Sequence, residues 1–216
     1  MINIFGGFPE YCENVTGFWL AQPLNAITNL AYTVGGFYLY AYVKKNNLNR
    51  TLGIVLSGLM IILGIGSTAW HSHKSVLTML SDEIPIYLFI VLVIYYLVQS
   101  LVKKSKITTL AMASIAVLYY LIFTYLPGAE NFDGSFKYAF VLVLFLILNF
   151  LVVKKLGTEY NFFIPLGIFA AGIALRVADL PICQAFPVGT HFLWHILVAI
   201  AMYFGSKVIL RIDNNI

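Results

Sequence analysis

Four histidines, His71, His73, His191 and His195, are the residues best suited to chemistry. His191 and His195 are four positions apart, so on a helix they share one face about a turn from each other. His71 closes an apolar stretch, and Ser67 lies four residues before it on the same face. Asp82 and Glu83 are placed at the start of the following helix. Neutral imidazoles from two helices can converge on one ion, and three histidine nitrogens plus a water form a recurrent catalytic zinc arrangement. Such a cation supplies hydroxide near neutral pH and polarises a carbonyl oxygen. A carboxylate is then needed to move protons, and Asp82 is the candidate. The competing reading is an H-x-x-x-H pair that merely hydrogen-bonds its neighbours. His73 is read as an interfacial polar group with no ligand role. Arg176 and Asp179, spaced i, i+3, read as a supporting polar pair that neutralise each other. The metal reading gains from position, because polar groups within membrane spans are expensive and default to function. His71, His191, His195, Ser67, Asp82, Arg176 and Asp179 are all assigned to one level at one membrane face.

The elements that must position these residues follow from composition. The chain has 216 residues, of which 61% are hydrophobic and only 10% charged. A soluble domain carries about 25% charged residues. So sparse a polar shell excludes a soluble enzyme, a disordered protein and an ordinary nucleic-acid binder. Seven charge-free runs occupy residues 14–43, 51–73, 84–102, 107–129, 138–153, 160–175 and 180–206. A bilayer core needs about 20 apolar helical residues, and the two shortest runs reach by snorkelling or by continuing past Arg176. The runs lack the polar alternation of barrel strands. The expected fold is therefore all-α, a single bundle of seven transmembrane helices over residues 22–43, 51–70, 83–102, 107–126, 136–153, 160–179 and 190–209. Gly35, Gly36, Gly64, Gly66 and Gly172 are expected to let helices approach closely. Trp70 and Trp194 are expected in the interfacial belt.

Ten of the 13 basic residues follow the first, third, fifth and seventh runs. By the positive-inside rule those loops are cytoplasmic, which puts the N-terminus outside, the C-terminus inside and the histidines near the non-cytoplasmic face. No basic leader precedes the first run, so that span is expected to act as its own anchor. Cys12 and Cys183 both fall on the outer face, where a disulfide is permitted. Pairing and two unpaired thiols are both open at this point.

Three elements carry a resemblance. The first is Tyr11-Cys12-Glu13 followed by Asn25-Ala26-Ile27-Thr28-Asn29. The second runs from Gly64 to His71, reading G-x-G-S-x-x-x-H, with Asp82-Glu83-Ile84-Pro85 eleven residues after the histidine. The third is His191-Phe192-Leu193-Trp194-His195. In order and frame the chain resembles the alkaline ceramidase family, within the larger CREST group of seven-span membrane hydrolases. The resemblance implies His71, His191 and His195 as zinc ligands. It implies Ser67 as a hydrogen-bond donor to the reacting water or the oxyanion. It implies Asp82 as the group that passes the water's proton to the leaving amine, and a bridge between Cys12 and Cys183. The implied reaction is hydrolysis of the ceramide amide to a sphingoid base and a fatty acid. The family also carries a calcium site beside its first cysteine. Glu10, Glu13, Asn14 and the Tyr11 carbonyl correspond to it here, but Gln22 stands where the family has an acidic residue. Calcium favours charged oxygens, so that exchange weakens the site.

The expected partner is a membrane lipid, ceramide or a similar N-acyl lipid, with neither nucleic acid nor a protein partner. Two other classes compete. A seven-span lipid-binding receptor or sensor without turnover is the alternative, set back by the lack of a sizeable extramembrane domain. A transporter is disfavoured because polar residues gather at one end and the apolar runs look continuous.

Overall fold

The computed structural model describes residues 11–15, 20–125 and 134–214. Among these residues the regular structure is helical throughout. The elements are α1 (Pro23–Thr28), α2 (Leu30–Lys45), α3 (Arg50–Ser72), α4 (Val76–Val102), α5 (Ser105–Tyr125), α6 (Phe136–Leu156), α7 (Phe163–Ala178) and α8 (His191–Asp213). Short 3-10 turns at Thr158–Tyr160 and Leu180–Ile182 flank α7. Among the described residues six helical segments are long and apolar enough to cross a bilayer, and they fit an integral membrane protein. Large apolar side chains point outward on most of them, as with Leu77, Ile164 and Leu110, and on α2, as with Phe37. In water such a surface would drive aggregation, whereas in lipid it is the ordinary exterior.

The first apolar run departs from its expected single span over 22–43. It is broken at Asn29 into α1 and α2. The Thr28 hydroxyl lies 2.9 Å from the Leu24 carbonyl and 3.0 Å from that of Asn25, and Asn29 Nδ2 donates to Asn25 O at 2.9 Å. Side chains thus engage the carbonyls that the helical ladder would otherwise use, which weakens the ladder at that turn. The third span begins earlier than residue 83, because Ser75 and Thr78 form a capping box that starts α4 at Val76. Asp82 and Glu83 therefore sit in the second turn of α4 and not at its start.

Helix α8 is the axis of the bundle. It packs against α1, α2, α3, α4 and α7. Around it Leu39, Leu56, Met60, Leu63, Leu97, Ile209 and Leu210 are wholly enclosed. By contrast α5 packs chiefly on α4 and buries only Thr108 along its length. Trp70 and Trp194 are also core residues, with 2% and 3% of their surface exposed, not members of an interfacial belt. Both flank ligand-type histidines in sequence, and their indoles wall off that region. His73 is exposed, in keeping with an interfacial position.

Pro85 and Gly66 explain how α3 and α4 meet. Pro85 lies inside α4 and has no N–H, so the Ser81 carbonyl loses its helical donor. That carbonyl lies against Gly66, where any Cβ would collide with it. The absent side chain lets α4 press onto α3 one residue from Ser67 and one from Asp82.

Candidate metal centre

His71 comes from the last turn of α3, and His191 and His195 from the first two turns of α8. All three are buried, with 1%, 1% and 2% of their surface exposed. One ring nitrogen from each lies within 4.8 Å of the others. The ring centroids are 4.6 Å apart for His191 and His195, 4.7 Å for His71 and His195, and 5.3 Å for His71 and His191. The spacing of these residues thus delivers the convergence expected of them.

Two of the rings are oriented by identifiable acceptors. Gln22 Oε1 lies 2.5 Å from His71 Nδ1. An amide oxygen only accepts, so Nδ1 carries the proton and Nε2 keeps its lone pair for the cluster. The segment bearing Gln22 is held in place by backbone pairing with the end of α3: Ala21 N donates to Ser72 O at 3.2 Å and Gln22 N to His71 O at 3.0 Å. Those carbonyls would otherwise be unpaired at a buried helix terminus. His195 Nδ1 lies 3.1 Å from Thr28 Oγ1. The single hydroxyl proton of Thr28 is directed at the α1 carbonyls, so the oxygen accepts from His195, and again Nε2 is left for the cluster. The break at Asn29 is what brings Thr28 to this ring.

Ser67 is buried and hydrogen-bonds Asp82, which is half-buried on the facing helix. Arg176, on α7, is 8% exposed and lies among Tyr11, Tyr138 and Trp194, with its guanidinium carbon 5.5–5.6 Å from their ring centroids. One of its nitrogens is 3.4 Å from His191 Nδ1 and 3.5 Å from Nε2. Asp179 serves other partners. Its Oδ1 accepts from Thr190 N at 2.7 Å and His191 N at 2.8 Å, and its Oδ2 from Cys12 N at 2.9 Å. The carboxylate therefore caps the start of α8 and ties down the N-terminal segment. Gly189, at φ +67°, makes the turn that allows this, since a Cβ there would strike Asp179 and Cys12. Arg176 and Asp179 are thus neighbours with separate roles.

Cys12 and Cys183 form a disulfide, with Cα atoms 5.2 Å apart. It fastens residues 11–15 over the histidines. The Tyr11 ring stacks on His191 at 3.9 Å between centroids, and it lies 5.2 Å from His71. The residues expected at a calcium site are dispersed among these contacts. Glu13 accepts from Leu24 N at 2.7 Å and Asn25 N at 2.8 Å, capping α1, while Gln22 faces His71. Asn14 is exposed, and Glu10 lies outside the described residues.

The roles of Gln22, Thr28, Glu13 and the Tyr11 ring are those that sequence reasoning missed. One signal was available for Thr28: Asn25, Thr28 and Asn29 occupy one helical face of an otherwise apolar run.

Below the histidines an apolar cavity of about 80 Å³ lies between α4, α6, α7 and α8. Tyr138 and Trp194 line its upper end, where they also touch Arg176, and Phe162 and Gly205 line its lower end. The arrangement joins a polar centre to a hydrocarbon slot.

The donor set fits a borderline-soft divalent cation: three neutral nitrogens, two of them fixed in tautomer by a second layer of acceptors. Among curated proteins, none matches the chain in sequence. A family model described as Ceramidase matches residues 9–214, nearly the whole chain, and the protein therefore belongs to the ceramidase family.

Proposed function

We propose that this chain is a zinc-dependent intramembrane amide hydrolase. It cleaves ceramide or a similar N-acyl lipid with water, giving a sphingoid base or other amine and a fatty acid. The observation that carries the reading is the trio of buried imidazoles beside Ser67 and Asp82, set directly above an apolar cavity.

His71, His191 and His195 would hold the cation, which when bound supplies a water-derived nucleophile near neutral pH and polarises the amide carbonyl. Asp82 takes the proton from the attacking water and returns it to the departing nitrogen, which leaves as a neutral amine. Ser67 donates to Asp82, holding the carboxylate in place through the transfer. Arg176 sets a fixed positive charge near the point where the carbonyl oxygen gains negative charge, and the surrounding rings keep bulk water from screening it. The apolar cavity receives the acyl chain, so the amide reaches the centre sideways from the bilayer while its hydrocarbon stays out of water. The distribution of basic residues supports an outward N-terminus and a centre near the non-cytoplasmic face.

The test uses purified protein, a panel of N-acyl lipids and mass-spectrometric detection of released fatty acid, with metal analysis of the same sample. Stoichiometric zinc, fatty-acid release that stops with chelator, and loss of release in His195→Ala are expected. Metal-free protein whose His195→Ala variant hydrolyses as well as the parent defeats the reading.

A further inference from the structure

Asn25, in the middle of α1, is 1% exposed. Its backbone is pinned on both sides. Its N–H donates to Glu13 Oε2 at 2.8 Å, and its carbonyl accepts from Asn29 Nδ2 at 2.9 Å and lies 3.0 Å from the Thr28 hydroxyl. The carboxamide has no such tie. Among the described residues neither Oδ1 nor Nδ2 of Asn25 has a hydrogen-bond partner. Asn29 and Asn149 also leave one side-chain atom unpaired, but each engages a backbone group with the other. Buried polar groups are almost always paired, so a side chain with both of its polar atoms idle marks a place where another molecule supplies the partner. Position says what lies nearby. Gln22, Asn25 and Thr28 are spaced three apart and follow one side of α1. Gln22 faces His71, and Thr28 faces His195. Asn25 thus lies between the partners of two ligand-type rings, on a helix that packs against both α3 and α8.

We propose that Asn25 recognises the scissile amide, with its Oδ1 accepting the amide N–H. The inference rests on the amide-hydrolase reading for the identity of the ligand. An amide brings three polar features into a buried centre: a carbonyl oxygen, a nitrogen whose lone pair is freed as the carbonyl carbon becomes tetrahedral, and an N–H. Arg176 answers the oxygen, and Asp82 answers the nitrogen. The N–H remains, and once stripped of water it needs an acceptor. Other acceptors around the histidines are engaged. Gln22 Oε1 and Thr28 Oγ1 face the rings, and both oxygens of Glu13 and of Asp179 hold backbone N–H groups. Asn25 Oδ1 is idle. The consequence is a preference for amides. An ester of the same skeleton has an oxygen where the amide has its N–H, so it sets one lone pair against another at Oδ1. A site that hydrogen-bonds a substrate N–H rejects the analogue lacking it far more strongly than an apolar wall rejects a methylene.

The experiment compares the parent protein with Asn25→Ala and Asn25→Asp on matched lipid pairs that differ only in an amide or an ester linkage to the same acyl chain. The first measurement is kcat/KM for each member of a pair, from released fatty acid. The second is binding of the intact lipids, by native mass spectrometry, to the same proteins carrying Asp82→Asn, in which the proton carrier is removed and both linkages stay whole. Esters are the more reactive in themselves, so the readout is the change in the amide-to-ester ratio on substitution. Asn25→Ala should lower that ratio by about tenfold in both measurements. Asn25→Asp still offers an oxygen at the same place and should keep most of the parental ratio. Thermal unfolding of Asn25→Ala should stay near the parent's, because alanine suits a helix and the lost carboxamide had no protein partner. A ratio that Asn25→Ala leaves unchanged, or an early-unfolding variant that loses both substrates alike, overturns the inference even if amide hydrolysis is confirmed. Should neither lipid be hydrolysed while Asn25→Ala still removes a binding preference for the amide, the recognition of the N–H stands and the amidase reading falls.

Discussion

Gln22 Oε1 lies 2.5 Å from His71 Nδ1, although 49 positions separate the two residues. This contact fixes which nitrogen of His71 is available to a cation, and removing such an outer partner typically lowers metal affinity about 10–100-fold. Gln22→Leu should show a loss of that size, read by competition with a chromophoric chelator. Gln22→Glu keeps an acceptor at the same place and should retain most of the affinity. Equal affinity in the parent and Gln22→Leu would show that the ring is oriented by other means.

Thr28 does the same for His195 through a hydroxyl that has already given its proton to α1. Thr28→Val matches the volume but removes the hydroxyl acceptor that lies 3.1 Å from His195 Nδ1. Metal affinity should fall by about tenfold, at the lower end of such outer-partner effects, and hydrolysis with it. Thr28→Ser should restore both. If Thr28→Ser behaves like Thr28→Val, side-chain shape is what matters and not the hydrogen bond.

Gly66 is where α3 accepts the Ser81 carbonyl. In Gly66→Ala the added methyl would collide with that backbone, so α4 must move out and take Asp82 away from Ser67. Overpacking of this kind destabilises by about 1–3 kcal/mol. Thermal unfolding in detergent should reveal it, together with a loss of hydrolysis larger than the loss of folded protein. Gly58 is the control, because nothing lies within 4 Å of a Cβ placed there. Gly58→Ala should leave both measurements near the parent values.

These cases show what was legible in the sequence. The pairing of His191 and His195 is local, since four positions on a helix fix it, and the apolar runs located most helix ends to within a few residues, the start of α4 at Val76 and the break at Asn29 excepted. His71 could be joined to them because the alternation of spans puts the end of one helix and the start of another at one level. The relationships that escaped are set by tertiary contacts. Gln22 reaches His71 only because residues 21 and 22 pair with the last carbonyls of α3. Asp179 is placed to face Arg176 by spacing, yet three backbone N–H groups at the start of α8 and at Cys12 claim its carboxylate. A surface-type i, i+3 pair is worth a few tenths of a kcal/mol, whereas a buried helix start without acceptors costs far more. Trp70 and Trp194 read as belt residues because membrane tryptophans often are, but here the indoles fill the bundle beside the histidines.

The covalent tie between Cys12 and Cys183 gives the last prediction. It closes a loop of 171 residues. Chain-entropy reasoning and the behaviour of native bridges put such a tie at about 2–5 kcal/mol. Replacing both cysteines by serine should therefore lower the melting temperature by about 5–15 °C. The same change should also reach the centre, because residues 11–15 carry Tyr11, stacked on His191, and Glu13, the cap of α1. Once the tie is gone, the segment keeps only noncovalent contacts, among them those with His191, α1, Arg176, Lys74 and Asp179, and it leaves more readily. Cation exchange with a chelator should then be faster than in the parent, even at temperatures where both proteins are folded. Asp179→Asn with the disulfide intact is the complementary variant: it weakens the start of α8 and the Cys12 amide contact while the tie remains. If the serine variant melts lower but exchanges its cation at the parental rate, the bridge stabilises the bundle without guarding the histidines.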